Sequence, residues 1–410
     1  MTPHGAARAT LETLDVRLGD TVVGSLVHLG NDSLIFTFDR RYVEAGDGRP
    51  TLSLGFKAAD GGLVEQGRPT RTRLSPFFSN LLPEGHLREY LAARGRIHPD
   101  REFFLIWLLG ADLPGDVEVR AADGSIPPAA DRETEDARGD DRALRFSLAG
   151  VQLKFSAVME ASAGLTLPAR GVGGDWIVKL PSPRFDSVPE NEYAMMTLAA
   201  AVGIDVPDVR LVPTKEIGGL PEDLPESFGQ SLAVRRFDRL HGGERVHIED
   251  FAQVFGLYPE RKYQEASYGN IARVLWLEVG AGGIVEHTRR LVFNTLVGNA
   301  DAHVKNWSLI YPDRRTAALA PAYDLVGTVA YIPKDRLALS LGGTKAFADV
   351  NLARFERLAR KAGLPERLVV QTARETAARV RDLWPHHEPL RALPPKIRKA
   401  IGQHMDTVPL

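Results

Sequence analysis

Apolar and polar positions alternate with a period of two between Leu14 and Phe38, which predicts short antiparallel strands. The alternation is broken at Gly19-Asp20 and at Gly30-Asn31-Asp32, where turns are expected. Residues 76–94 and 103–109 instead carry apolar side chains at helical spacing. Residues 1–120 are therefore predicted to form an α+β unit.

The pattern changes at residues 121–141, which are rich in Pro, Gly and charge and predict a linker or mobile loop. Strand-like segments return over residues 142–240, around one helix that Gly203 is expected to end. The strand-like segments are 153–158, 176–180 and 231–236, and the helix is 190–202.

Residues 241–410 are mostly helical in pattern. The predicted helices are 248–255, 268–277, 284–296, 352–362 and 365–384. A small β-rich lobe at 142–240 followed by a larger α-rich lobe is a bilobal α+β arrangement. Its cleft would be a common kind of place for a small ligand to bind.

Composition narrows the classes of function. The 410 residues are 44% hydrophobic and 25% charged, with a formal net charge of −2, so the chain as a whole lacks a nucleic-acid footprint. It has no cysteine, which excludes disulfides, zinc-thiolate sites and cysteine nucleophiles. The N-terminal sequence lacks the apolar core of a signal peptide, and no apolar run is long enough for a bilayer, so we expect a cytoplasmic protein.

Candidate chemistry is concentrated in the stretch from Gly298 to Ser308, which follows an apolar helical run. Asp301 and Asn306 are five positions apart within it, and Asp324 follows. Phosphoryl-transferring kinases need one carboxylate for the attacking hydroxyl, one amide oxygen for a metal and a second carboxylate between metal and phosphate. The alternative is that Asp301 and Asn306 are turn residues or helix caps.

Lys179 ends a short apolar strand, where a kinase lysine would reach the nucleotide phosphates; the alternative is a lysine that extends to water. Glu192 in the next helix is a candidate ion-pair partner, and Glu190 is an equally placed rival. Arg235 with its neighbours could form an anion site or a charged strand edge, and Phe237 could line an adenine pocket or the core. His303 could orient Asp301 or make a structural hydrogen bond.

The segment from Phe146 to Phe155 contains small residues that would let backbone N–H groups approach phosphate oxygens. No Walker A loop, Rossmann fingerprint or H-E-x-x-H zinc motif occurs anywhere in the chain.

Seven segments in order resemble the HipA family, the kinase toxins of bacterial type II toxin–antitoxin pairs. They are Phe78-Ser79-Asn80-Leu81-Leu82-Pro83-Glu84-Gly85, Ser147-Leu148-Ala149-Gly150-Val151-Gln152-Leu153-Lys154, Val178-Lys179-Leu180-Pro181, Glu190-Asn191-Glu192-Tyr193, Arg236-Phe237-Asp238-Arg239, Gly298-Asn299-Ala300-Asp301-Ala302-His303 with Asn306, and Ala322-Tyr323-Asp324-Leu325. The resemblance covers nearly the whole length. It implies a kinase-like fold with a HipA-type N-terminal subdomain at 1–120.

The resemblance implies a protein serine/threonine kinase that uses ATP and magnesium, with Asp301 as catalytic base. Asn306 and Asp324 would hold magnesium, and Ser147 matches the family's autophosphorylation position. The residues expected at the nucleotide are Ala149, Gly150, Val151, Gln152, Lys154, Lys179, Arg235, Phe237 and His303. Arg235 departs from the family, because many relatives carry Glu there, so contacts to the adenine edge are expected to differ.

The resemblance also implies a biological setting. The expected substrate is a translation component such as an aminoacyl-tRNA synthetase, whose modification would stall translation and give persistence. The expected partner is a HipB-like DNA-binding antitoxin, through which operator DNA would mainly be contacted. Two other functions are compatible with the motifs: a small-molecule kinase of the aminoglycoside type, and a catalytically weak subunit of an antitoxin–operator complex.

Overall fold

The structure is a computed structural model and describes residues 12–29, 31–58, 60–65, 68–125, 154–159, 165–166, 174–220, 229–240 and 243–410. These residues divide into two compact units. The first takes its described residues from positions 1–142 together with Ala252–Pro259, and the second from positions 143–251 and 260–410. The boundaries predicted at 120, 141 and 240 stay predictions.

The first unit is built on a five-stranded antiparallel sheet with the order β4-β3-β2-β1-β5. Its elements are β1 (Glu12–Leu18), β2 (Thr21–His28), β3 (Ser33–Phe38), α1 (Arg40–Glu44), β4 (Thr70–Arg71), α2 (Pro76–Ser79), α3 (Gly85–Arg94), α4 (Glu102–Leu109) and β5 (Val117–Ala121). The predicted strands between Leu14 and Phe38 are confirmed. The helix predicted over 76–94 is two helices with a break between them.

The core of this unit follows from the alternation in its strands. Leu14, Val16 and Leu18 of β1 are fully buried, and they pack in one cluster with the apolar helix α4. The Glu102 carboxylate is also fully buried, where it accepts hydrogen bonds from Leu74 N at 2.8 Å and Arg88 Nη2 at 3.0 Å. A buried carboxylate is tolerated because these donors compensate for its lost hydration.

The second unit begins with a six-stranded sheet of order β10-β7-β6-β8-β11-β9, in which only β10 and β7 pair in parallel among the described strands. Its strands are β6 (Lys154–Met159), β7 (Leu165–Thr166), β8 (Trp176–Lys179), β9 (Val209–Pro213), β10 (Ile217–Gly218) and β11 (Gln230–Arg235). Helix α5 (Val188–Val202) packs against β9 and β11 and ends at Gly203, whose left-handed φ of 93° confirms the predicted stop. Sequence reasoning missed β9.

The rest of this unit is mainly helical. Its elements are β12 (His247–Asp250), α6 (Phe251–Val254, whose last three residues belong to the first unit), α7 (Tyr268–Glu278), α8 (Ala281–Val297), β13 (Ser308–Tyr311), β14 (Ala318–Leu319), α9 (Leu352–Ala362), α10 (Glu366–Leu383) and α11 (Pro395–Thr407). Helix α8 is largely buried and packs against α7, α10 and α11. Within the described part of the chain, no helix combines the length and apolar character that crossing a bilayer requires.

The helix predicted over 248–255 is wrong in its first half. His247–Asp250 forms β12, which pairs antiparallel with β13, and β14 completes a three-stranded sheet. Local spacing suggested a helix, but the partner strand lies some sixty residues further on, and its hydrogen bonds decide the conformation. The sequence pattern also gave no indication of β13, β14 or α11.

Candidate active site

Lys179 lies at the end of β8, where strand alternation determines its surroundings. Trp176 and Val178 point into the core of the six-stranded sheet and are nearly inaccessible. Lys179 lies on the opposite face of the strand, next to Lys154 of β6, its directly paired neighbour. The Lys179 side chain is nevertheless only 5% exposed, so its ammonium needs partners within the protein.

The partners of Lys179 are two carboxylates. Its Nζ donates to Glu192 Oε1 on α5 and to Asp324 Oδ1. Burial alone would lower the pKa of Lys179, but attraction to Asp324 and Glu192 outweighs it and raises the pKa above its ordinary value. The choice between Glu192 and Glu190 is therefore settled for this structure: Glu192 pairs with the lysine.

Asp324 is held by a second cation. Lys154 Nζ lies 3.1 Å from Oδ2 and 3.3 Å from Oδ1 of this carboxylate. Burial would raise the pKa of Asp324, but Lys154 and Lys179 hold it well below the usual range. The carboxylate is therefore ionised, and positive charge surrounds it.

The backbone at Asp324 is strained, because its φ of 54° lies in the left-handed region that non-glycine residues rarely adopt. Two buried amides hold this segment. Asn299 Nδ2 donates to the Asp324 carbonyl at 3.3 Å. Asn191 of α5 accepts from Gly327 N at 3.0 Å and donates to the Gly327 carbonyl at 3.2 Å. Helix α5 thus holds the Asp324 segment and also provides Glu192.

The loop that carries Asp301 begins where α8 ends. Gly298 caps this helix with a φ of 68°, and a Cβ there would lie 2.3 Å from a Val329 methyl carbon, so only glycine fits. Asp301 N then donates to Asn299 Oδ1 at 3.0 Å, and Asn306 Nδ2 donates to the Asp301 carbonyl at 2.8 Å. These bonds hold the loop at both ends and leave the Asp301 side chain 51% exposed.

His303 belongs to the same loop, but its side chain is buried. Its Nε2 is 3.8 Å from Asp301 Oδ1, which is too long for a hydrogen bond. Burial lowers the pKa of His303 to about 4, so the ring is neutral near pH 7. Among the described residues its Nδ1 has no hydrogen-bond partner.

Tyr263 is a site residue that sequence reasoning missed. Its hydroxyl donates to Asp301 Oδ1, and its ring meets the His303 ring edge-on with centroids 4.9 Å apart. The sequence around Tyr263 carries no pattern that would have identified it, because the contact spans 38 positions.

In the Arg236-Phe237-Asp238-Arg239 segment, the charged side chains bind one another. Arg236 forms a two-bond fork with Asp238 at 2.8 and 2.9 Å, and Arg239 donates to the same carboxylate at 2.9 Å. Phe237 is half-buried with its ring centroid 5.7 Å from that of Tyr323. Arg235 lies 3.8 Å from the exposed carboxylate of Asp208. Arg236 and Arg239 thus both bind the carboxylate of Asp238.

The predicted site residues that the structure describes form two main clusters. Lys154, Lys179, Glu192 and Asp324 form one cluster, and Asp301, His303 and Asn306 form another with Tyr263. The phosphate-loop residues lie outside the described residues: Ser147, Ala149, Gly150, Val151 and Gln152.

Asp324 and Asn306 have the donor chemistry that a magnesium ion requires. Mg²⁺ prefers oxygen ligands, usually one or two carboxylates together with phosphates. Asp324 is an ionised carboxylate, and Asn306 uses its amide nitrogen on Asp301, which leaves its amide oxygen as an acceptor.

Comparison with known proteins shows which family the chain resembles. The HipA N-terminal domain model matches residues 14–120, and the HipA-like C-terminal domain model matches residues 146–384. Y4dM of Sinorhizobium fredii, a protein named as a kinase, is 50% identical over 97% of both chains. The serine/threonine-protein kinase toxin HipA of Shewanella oneidensis is 25% identical and covers 90% of this chain and 87% of its own.

A solved structure has the same fold. A chain in the Shewanella oneidensis complex of HipA, HipB and operator DNA matches with a TM-score of 0.72 at 22% identity, over 97% of both chains. This likeness confirms the predicted kinase-like fold with its HipA N-terminal subdomain. Two family models that together span most of the sequence, and a relative identical at half its positions, lead to one conclusion: the chain belongs to the HipA family.

Proposed function

We propose that this chain is an ATP- and magnesium-dependent protein serine/threonine kinase that acts as a HipA-like toxin. One observation carries the proposal: the buried Lys179 ammonium contacts the carboxylates of both Glu192 and Asp324. Protein kinases use a strand lysine, a helix glutamate and a metal-binding aspartate in this combination. The loop with Asp301 and Asn306 adds the two parts that remain.

In this proposal Asp301 accepts the proton of a serine or threonine hydroxyl as its oxygen bonds to the γ-phosphorus and ADP leaves. Its 51% exposure supports the role, because a protein substrate must reach it. Asn306 and Asp324 would hold magnesium, which when bound neutralises charge on the phosphates. Lys179 and Lys154 both contact Asp324 here. Their ammonium groups would also attract the nucleotide phosphates.

The rest of the nucleotide would be held by the residues that the family resemblance indicates. Backbone N–H groups of 149–152 would contact phosphate oxygens, and Arg235, Phe237 and His303 would contribute to the nucleotide pocket. Phosphorylation of Ser147 would add about −1.5 to −2 charges beside those phosphates. We expect this charge to expel the loop and inactivate the enzyme.

We further propose a HipB-like antitoxin as partner, with operator DNA contacted mainly through it. The solved Shewanella oneidensis assembly of HipA, HipB and operator DNA supports this, as does a net charge of only −2. The proposed setting is the cytoplasm, and the proposed substrate is a translation component such as an aminoacyl-tRNA synthetase. Within the chain, 142–240 would be the small lobe and 241–410 the catalytic lobe.

The test is phosphorylation-site mapping by mass spectrometry after incubation of the purified protein with Mg-ATP. We expect phosphate on Ser147 in wild type and none when magnesium is chelated. Phosphate transfer that continues without a divalent cation would contradict the proposed metal dependence. Absence of both modification and ATP binding would contradict the kinase assignment.

A further inference from the structure

We propose that Tyr263 is an internal placeholder for the phosphate acceptor: its hydroxyl takes the position at Asp301 that a substrate hydroxyl must occupy. This inference rests on the proposed function, which makes Asp301 the base. The observation behind it is direct, since Tyr263 Oη donates a hydrogen bond to Asp301 Oδ1.

A general base must lie within hydrogen-bonding distance of the proton that it removes. The hydroxyl groups of tyrosine and serine can both donate a hydrogen bond. The Tyr263 contact is therefore of the same kind as the one that a substrate serine would make with Asp301. A substrate hydroxyl that approaches Oδ1 must therefore compete with Tyr263. His303 does not take this position, because its Nε2 remains 3.8 Å away.

The anchoring of Tyr263 allows its hydroxyl to leave without unfolding the site. Its carbonyl accepts a hydrogen bond from Lys345 Nζ at 3.2 Å, which fixes the backbone independently of the ring. The residue is 40% exposed, and its ring packs edge-on against His303 at 79°. A side-chain rotation would move the hydroxyl away from Asp301 while the backbone contact persists.

Two consequences follow for the reaction. While Tyr263 binds Asp301 Oδ1, a water molecule must compete with its hydroxyl for that oxygen, so hydrolysis of ATP without an acceptor is slowed. A substrate must also displace the tyrosine, so part of its binding energy is used for that exchange. Tyr263 therefore selects for acceptors that bind the surrounding surface well enough to displace it.

The test compares full-length wild type, Tyr263→Phe and Asp301→Asn, with Tyr90→Phe as matched control. Tyr90 also carries a hydrogen-bonded hydroxyl, 3.0 Å from Arg94 Nη1, but belongs to the other compact unit. Tyr263→Phe keeps the ring contact with His303 and removes only the hydroxyl. Two initial rates are measured with Mg-ATP. The first is ADP formation in excess of label incorporated into the protein itself, with no added acceptor. The second is label transfer to a synthetic peptide of residues 143–155, which contains Ser147.

We expect Tyr263→Phe to raise acceptor-free ADP formation by roughly three- to tenfold, the effect of removing one competing hydrogen bond. The KM for the peptide should fall by a similar factor, while kcat stays within about twofold. Tyr90→Phe should match wild type in both assays. If the peptide takes no label, the acceptor-free rate decides alone.

A tenfold or greater loss of kcat at unchanged KM would overturn the inference, because Tyr263 would then assist transfer. Rates within twofold of wild type would overturn it as well. Equal melting temperatures of wild type and Tyr263→Phe show that folding is not the cause. If wild type forms no more ADP than Asp301→Asn, the proposed function itself fails. An active wild type with an unresponsive Tyr263→Phe contradicts only the placeholder.

Discussion

Lys179 and Asp324 form an ion pair across 145 positions of sequence, and the side chains of Lys179 and its other partner, Glu192, are only 5% and 2% exposed. Strand β8, helix α5 and the Asp324 segment therefore meet at a single ammonium group. Both carboxylates bind this lysine, so the cluster joins three parts of the chain and is also the proposed phosphate site.

Lys179→Met is expected to destabilise the protein by about 3–5 kcal/mol, because it leaves Glu192 as an uncompensated buried charge. Lys154→Met is the matched control. Its side chain is 41% exposed, so its pair with Asp324 should contribute at most about 1 kcal/mol. Urea denaturation measures both free energies of unfolding. Equal losses in the two variants would show that burial of the pair does not determine its contribution.

The double variant Lys179→Met with Glu192→Leu should regain more than half of the stability lost in Lys179→Met. An apolar pair of similar volume removes the unpaired charge that makes the single variant costly. Phosphate transfer should remain absent, since the ammonium is still missing. If the double variant is no more stable than Lys179→Met, the stability lost in Lys179→Met comes from the unpaired Asp324 and not from Glu192.

Asn191→Ala should lower the free energy of unfolding by about 2–3 kcal/mol, because Gly327 loses partners for both its N–H and its carbonyl in a buried place. Asn351→Ala is the comparison. Asn351 caps α9 through a single 3.2 Å bond to Arg354 N, a cap with a typical contribution of about 1 kcal/mol. Because Asp324 would be held less firmly, phosphate transfer by Asn191→Ala should also require a higher magnesium concentration. Identical stability losses would contradict the conclusion that the Asn191 side chain holds the Asp324 segment through both of its bonds to Gly327.

Stability should decrease in acid because of His287. This residue of α8 is 1% exposed, and burial followed by repulsion from Arg290 lowers its pKa to about 3. Below the ordinary pKa of 6.5 the unfolded chain binds a proton that the folded chain does not. The free energy of unfolding should therefore fall by about 1.4 kcal/mol per pH unit from this group, until the pH nears its folded pKa.

His303 contributes with the same sign, since burial also lowers its pKa, to about 4. A His287→Phe variant should therefore lose about 1.4 kcal/mol per pH unit of the wild-type slope between pH 6 and pH 4.5. Urea denaturation at several pH values measures it. An unchanged slope would mean that His287 becomes protonated within the folded protein at those pH values.

The sequence predicted most reliably what local patterns determine. Helix α9 was predicted with its observed bounds, Leu352–Ala362, because its apolar side is regular and its flanking residues are strong signals: Asn351 caps its start and Gly363 its end. The Lys179 strand and the Asp301 loop were also identified, since both carry chemistry in short motifs. The pairing partner of Lys179 was narrowed to two glutamates of one helix turn.

Long-range contacts were beyond local patterns. Strand β12 read as helix because its partner β13 lies far along the chain. Tyr263 lies 38 positions before Asp301, and the hydrogen bonds between Asn191 and Gly327 span 136 positions. Asn191 lies in a recognised motif, but a motif does not show which backbone group its amide holds. These contacts follow from packing, which a single sequence does not reveal.

The most direct test of the kinase assignment is the initial rate of γ-phosphate transfer from labelled Mg-ATP to Ser147 of the chain itself. This rate is compared between wild type and Asp301→Asn. Asp406→Asn, an exposed aspartate of α11, is the matched control. We expect Asp406→Asn to match wild type and Asp301→Asn to lose at least about a hundredfold, the lower range for a missing general base. Transfer by Asp301→Asn at the wild-type rate would contradict the assignment of Asp301 as the base.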